Sequence, residues 1–185
     1  MTAPGREIED ALCAGCGLCC DGTLHPKADL EPGEARLLGS AGLEVIDGGR
    51  AFQMPCPHSK DGCCSVFSNR PAAVCSNYEC KLLRNAKTGK LTVETAREKV
   101  QTAMALRAKV AEHNRDAVLA EHRGPLWKRL QAALPSLDPA SRGTMAQAIL
   151  DIAVFDEFLD RWFGNKKPRL EPESSNSRSD EPDRR

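Results

Sequence analysis

The sequence predicts a mostly α-helical protein in which a small, metal-organised, cysteine-rich loop domain with a short β-hairpin precedes a helical region. Two observations carry this expectation. All nine cysteines lie between Cys13 and Cys80, at positions 13, 16, 19, 20, 56, 63, 64, 75 and 80, in a stretch rich in glycine and proline. Beyond that stretch, apolar residues recur at helical spacing between start and stop signals. The expected divisions are a cysteine-cluster domain over 8–84, a helical region over 91–164 and a disordered tail over 168–185.

In chain order, the run Cys13-Ala14-Gly15-Cys16-Gly17-Leu18-Cys19-Cys20 reads as a loop. A short helix is expected over Pro32 to Leu38. Leu43 to Ile46 and Ala51 to Met54 read as weak strands flanking the turn Asp47-Gly48-Gly49. Thr92 can cap a helix running to about His122, with Thr95 and Glu98 at capping-box spacing and Val93, Ala96, Val100, Ala103, Val110 and Ala117 on one side. Gly124-Pro125 breaks it, and a short segment from Leu126 to Leu134 ends at Pro135. Asp138-Pro139 supplies an N-cap and a first-turn proline. Met145, Ile149, Ile152, Phe155, Leu159 and Trp162 form the apolar stripe of a last helix, closed by Gly164. Pro168 to Arg185 is dominated by serine, proline and charge and lacks the apolar residues of a core.

Composition narrows the function classes. A chain of 185 residues, 41% hydrophobic, supports one modest core. Lysine plus arginine equals aspartate plus glutamate at 26 each, so no global positive charge draws the protein to nucleic acid or anionic lipid. No apolar run approaches the roughly 20 residues of a membrane span, and Met1 to Glu7 has no signal-peptide core. The cytoplasm is the expected compartment. Thiols stay reduced there, and an odd number of cysteines points to metal or catalysis rather than disulfides.

Thiolates are strong anionic ligands for zinc and for iron–sulfur clusters, and two-residue spacing lets successive sulfurs converge on one centre. Gly15 and Gly17 permit backbone angles that turn peptide N–H groups toward sulfur. Four buried apolar cysteines in eight residues would be a crowded alternative. The ferredoxin run fails because Cys20 directly follows Cys19, and the radical-SAM spacing fails because Thr23 stands where its third cysteine belongs. No phosphate loop, Gly-x-Ser-x-Gly elbow or His-Glu-x-x-His pair is present.

The second group, Cys56 to Cys80, reads CPHSKDGCCSVFSNRPAAVCSNYEC. With the first group it resembles the YkgJ-like cysteine-cluster family, whose domain is described as chelating zinc or iron. Cys13, Cys16, Cys19 and Cys20 match that family's Cys-x2-Cys-x2-Cys-Cys, and Cys56-Pro57 its Cys-Pro step. Cys64-Ser65-Val66-Phe67-Ser68-Asn69-Arg70-Pro71 matches its Cys-x-(Ile/Val)-aromatic-x-x-Arg-Pro, and Leu30 to Arg36 is similar to its short acidic helix. The resemblance covers about the first half of the chain and implies metal ligation by Cys13, Cys16, Cys19, Cys20, Cys56, Cys64, Cys75 and Cys80. Two departures stand out: Cys63 is an extra thiol beside Cys64, and three residues rather than two separate Pro71 from Cys75. The motif register favours Cys64 as the ligand.

His25 and His58 lie near the cysteine groups and are secondary ligand candidates, whereas His113 and His122 sit far along the chain. For Arg70 three roles stand open: offsetting thiolate charge, hydrogen-bonding nearby carbonyls, or, as an arginine before a helix-starting proline, simply facing water. Lys81, Arg84, Lys87 and Lys90 are interrupted and followed by Glu94 and Glu98, so a solvated face is expected rather than a nucleic-acid patch. The leading function is a metal-binding module holding zinc or, second, iron, with the helices supporting it or presenting it to a protein partner. The alternative is an iron–sulfur redox component or an accessory of protein methylation, the last by analogy with a similar cysteine region in flagellin lysine methylases. Neither nucleic acid nor membrane is an expected partner.

Overall fold

A computed structural model describes residues 4–60, 63–113, 135 and 138–164. The segment from Leu126 to Leu134, the end of the long helix toward His122, and the tail from Pro168 to Arg185 lie outside the described residues. Helices predominate. They are α1 (Pro4–Cys13), α2 (Ala35–Ser40), α3 (Ala73–Asn77), α4 (Lys81–Lys87), α5 (Val93–Glu112), α6 (Pro139–Thr144) and α7 (Ala146–Phe163). Five short strands accompany them: β1 (Lys27–Asp29), β2 (Val45–Ile46), β3 (Ala51–Gln53), β4 (Ser59–Lys60) and β5 (Cys63–Cys64).

The expected hairpin forms: β2 pairs antiparallel with β3, Val45 opposite Phe52 and Ile46 opposite Ala51. Asp47 and Gly48 turn it with φ of 54° and 64°, the positive angles that asparagine, aspartate and glycine tolerate best. The sequence reading did not anticipate β1, which adds to the other edge of β3 with Ala28 opposite Phe52. Lys27-Ala28-Asp29 has a burial pattern of one residue between two exposed ones, too short a signal to read as a strand. A second pair, β4 with β5, sets Ser59 against Cys64. The expected helix at Pro32 to Leu38 forms three residues later, at Ala35–Ser40. Glu34 explains the delay: its carboxylate accepts from the Glu31 N–H at 2.8 Å and from the Ala73 N–H at 2.7 Å, binding this corner to α3.

The helical signals hold where they can be followed. The Thr92 side chain caps α5 by accepting from the Thr95 N–H at 3.2 Å. The cap's side-chain partner is the Thr95 hydroxyl, 2.9 Å away. Asp138 accepts from the Ala140 N–H at 2.9 Å at the start of α6, and Gly164 ends α7 in a left-handed conformation. Met145, Ile152, Phe155 and Leu159 of the predicted stripe are buried, with Ile149 and Trp162 packed at its margin.

Two cores result. The larger joins Leu12, Leu18 and Leu24 of the cysteine region to Leu82, Leu83, Val100, Val110, Ile152, Leu159 and Phe163 of the helices. It crosses the boundary expected near 84–91, because α1 packs on α4 and α5. The apolar face of this N-terminal helix, Ile8 and Leu12, was not read from the sequence. The smaller core is Leu38, Leu43, Phe52 and Ala72. Four residues bury too little apolar surface to hold a unit of this size without other support.

Leu159 is 1% exposed, whereas Leu150 on the same helix is 59% exposed. Leu159→Ala is expected to cost about 2–5 kcal/mol by urea denaturation, and Leu150→Ala less than about 0.5 kcal/mol. Equal losses would contradict the assigned helix orientation.

Candidate metal centre

The first cysteine loop begins where α1 stops. The Cys16 N–H bonds to the Cys13 carbonyl at 3.2 Å, and Gly17 then takes φ of 64°, a conformation that carries a steric penalty for residues with a Cβ. Gly15 is not in that region, so of the two glycines expected to need special angles only Gly17 does. The Gly17 carbonyl accepts from the N–H groups of Cys20 at 2.9 Å and Asp21 at 3.0 Å, closing a tight turn. Leu18, fully buried, pins this turn into the larger core. Asp21 extends the anchorage through an ion pair of 2.9 Å with Arg107 of α5.

The second cysteine group is stitched onto the first by the Cys56 N–H, which donates to the Cys20 carbonyl at 2.8 Å. Backbone N–H groups are aimed at several sulfurs. That of Leu18 faces Cys16, that of His58 faces Cys56 and that of Ala72 faces Cys75, while the Ser59 N–H donates to the Cys56 carbonyl at 2.9 Å. Cys80 is the N-cap of α4, its sulfur accepting from the Leu83 N–H at 3.4 Å. Such donors disperse negative charge on sulfur, as outer-shell hydrogen bonds do in metal–thiolate sites.

Cys13, Cys16, Cys19, Cys20, Cys56, Cys64, Cys75 and Cys80 all line one cavity of about 350 Å³. Cys63 does not; its side chain is exposed on β5. All nine thiols are free. They divide by what they pack against. Cys13, Cys16, Cys19 and Cys80 lie on the larger core, and Cys56 and Cys75 on the smaller one. Cys64 goes with the second set, close enough to repel the charge of Cys56 and Cys75; Cys20 does the same and also repels Cys16 of the first set, so it sits at the border of the two. The sets meet at Cys19 and Cys20, whose sulfurs are 3.6 Å apart. Among the described residues, no three Cys, His, Asp or Glu side chains converge in the manner that would hold a metal ion. The eight cysteines share the cavity lining without three of them meeting at a point.

Burial, with repulsion from neighbouring thiols, pushes the Cys13 and Cys16 thiols up to about 12 and Cys75 to about 11. Cys20 is raised by its contact with Cys19 and then by burial, and burial also raises Cys56 and Cys80. Such sulfurs remain protonated near neutrality unless a cation enters among them, whose charge favours the thiolate and offsets burial and repulsion. Soft sulfurs are the donor type that zinc and iron take, although among the described residues no three of these side chains converge.

Arg70 hydrogen-bonds carbonyls, one of its three expected roles, rather than simply facing water. Its Nε donates to the Phe67 carbonyl at 3.2 Å and its Nη1 to the Cys75 carbonyl at 2.9 Å, with the guanidinium carbon 4.2 Å from the centre of the Phe67 ring. It also reaches Glu9 of α1 at 3.4 Å, and Lys87 and Glu79 extend that network. Burial opposes the Glu9 charge, yet Lys87 and Arg70 hold its carboxyl below the usual range. His25 lines the cavity, but its Nε2 is engaged by the Tyr78 hydroxyl at 2.8 Å, the rings edge to face. His58 donates from Nε2 to the Ala41 carbonyl at 3.0 Å and does not line the cavity. His113 bonds to Asp151 at 2.8 Å across α5 and α7. His122 lies outside the described residues. Glu9 and Tyr78 were not singled out from the sequence. Tyr78 carried the signal of being the one tyrosine, two residues from a cysteine, whereas Glu9 carried none because its role depends on where α1 docks.

No family model, curated protein or solved structure matches the chain.

The raised thiols fix a sign for pH dependence. Above the ordinary thiol value of 9.0 the unfolded chain sheds protons that the folded, metal-free chain keeps toward 12, so folding stability is present below about 9 and is lost as pH rises through that window. Chelator-treated protein is expected to show a thermal midpoint that falls steadily above pH 9, and thermal melts across that range check it. A flat profile would mean that the thiols are not buried as described.

Proposed function

We propose that the chain is a metal-binding cysteine-cluster protein that holds two zinc ions, one by Cys13, Cys16, Cys19 and Cys80 and the other by Cys20, Cys56, Cys64 and Cys75. The observation that carries this reading is the gathering of eight thiols from two distant chain segments around one cavity. Backbone donors aimed at their sulfurs support it. So does the resemblance of the ordered cysteine motif to that of the YkgJ-like family. Nine free thiols suit a reducing compartment, in keeping with a cytoplasmic protein.

Two closed four-thiolate sites would be structural, leaving no open position for a substrate, and would supply the small core with the cohesion its apolar residues lack. The charge a zinc ion supplies is what makes buried thiolates affordable at neutral pH. The protein's own contribution is placement. Leu18 anchors the first loop, Arg70 ties the Phe67 turn to Cys75, and the Cys56–Cys20 backbone bond holds the two groups together. Among the described residues no helix is long and apolar enough to cross a membrane.

Anaerobic purification followed by metal analysis and a visible spectrum tests the reading. A colourless protein with two zinc ions per chain is expected; a brown protein with stoichiometric iron and acid-labile sulfide would replace zinc with the iron–sulfur alternative. Serine substitution checks the ligand set. Cys64→Ser is expected to lower the zinc content, and Cys63→Ser to leave it unchanged; the reverse outcome would exchange their roles.

A further inference from the structure

We propose that Cys19 and Cys20 are a modification site for peroxide, forming a reversible disulfide between sequence neighbours that releases both metal ions at once. The inference rests on the two-ion reading above. Its basis is the placement of this one pair. The two sulfurs are 3.6 Å apart, both line the cavity, and neither residue is fully buried. Cys19 packs on the larger core with Cys13, Cys16 and Cys80, while Cys20, in neither core, is close enough to repel charge on Cys56 and Cys75 of the second set and on Cys16 of the first, so the pair stands where the two sets meet. A bond between any two sulfurs of one set would strip a single ion of two ligands. A bond between Cys19 and Cys20 removes one ligand from each.

The chemistry balances with hydrogen peroxide as the oxidant. The Cys19 thiolate attacks one peroxide oxygen, the O–O bond breaks, and the departing hydroxide takes a proton to become water, leaving a sulfenic acid. The Cys20 thiolate then attacks that sulfur, the S–O bond breaks, and a second hydroxide takes a proton and leaves as water. In sum, two thiolates, two protons and one peroxide give one disulfide and two waters; sulfur loses the two electrons that oxygen gains. The product is strained, because adjacent Cα atoms stand about 3.8 Å apart across a trans peptide and disulfides favour about 4.4–6.8 Å. Strained disulfides are the more readily reduced ones, so a small dithiol restores the pair.

Cys63 and Cys64 are the chain's other neighbouring thiols and provide the contrast. Cys63 is exposed and outside the cavity, so a bond there takes a donor from one set alone.

The test uses the full zinc-loaded chain under anaerobic conditions, titrated with less than one equivalent of hydrogen peroxide in the presence of a chromophoric zinc chelator. Free thiols are then alkylated and the peptides analysed by mass spectrometry. The expected result is two zinc ions released per peroxide consumed, with a disulfide mapped to Cys19–Cys20 while Cys13 and Cys16 carry the alkylating group. Reduction with dithiothreitol and added zinc should restore the original content. The Cys63→Ser variant should behave identically. One zinc ion per peroxide, or a disulfide mapped to Cys63–Cys64 or within one set, overturns the proposal while leaving the two-ion reading intact. Fewer than two ions bound before peroxide is added overturns both.

Discussion

Eight thiols line one cavity of about 350 Å³, and six of them, Cys13, Cys16, Cys20, Cys56, Cys75 and Cys80, are held toward the protonated form, because burial and, for most of them, repulsion from neighbouring groups oppose the thiolate. Much of the surrounding structure answers that constraint. Gly17 bends the first loop so that the Leu18 N–H faces the Cys16 sulfur. The start of α4 places Cys80 where an unpaired helical N–H points. Arg70 lies within electrostatic reach of both Cys13 and Cys20, lowering the cost of charge on each set. Its own charge is compensated by Glu9, so the guanidinium is held in place between helix and turn.

The loops do not depend on sulfur alone. Leu12, Leu18 and Leu24 bury themselves among α4, α5 and α7, so the first set of cysteines stands on a helical core, and Arg107 reaches back from α5 to Asp21. The second set stands on four buried residues and a three-stranded sheet of two- and three-residue strands. The asymmetry has an energetic consequence. One side of the cavity is supported by ordinary hydrophobic burial, and the other depends on the backbone bond from Cys56 to Cys20 and on Glu34 joining α2 to α3.

Particular residues show why some features could be read directly. Thr92, Asp138 and Gly164 mark helix ends through bonds to groups within a few residues of themselves, so spacing alone identifies them. The stripe from Met145 to Trp162 and the Asp47-Gly48 turn are equally local. Lys27 to Asp29 became a strand only because β3 offered an edge, and Ile8 and Leu12 became core only because α4 and α5 came to cover them. Neither fact has a short-range signature.

The sequence by itself determined the donor chemistry: eight thiols in an ordered pattern, the helices behind them and the punctuation between them. Tertiary structure alone decided how those thiols group. Cys19 packs on the larger core while its neighbour Cys20 packs on neither, Cys80 joins residues more than sixty positions away, and Cys64 lines the cavity while Cys63 is exposed. The reason is physical. Spacing constrains which sulfurs can reach a common point from one loop, but the partners contributed by another loop are fixed by how the cores beneath both loops pack.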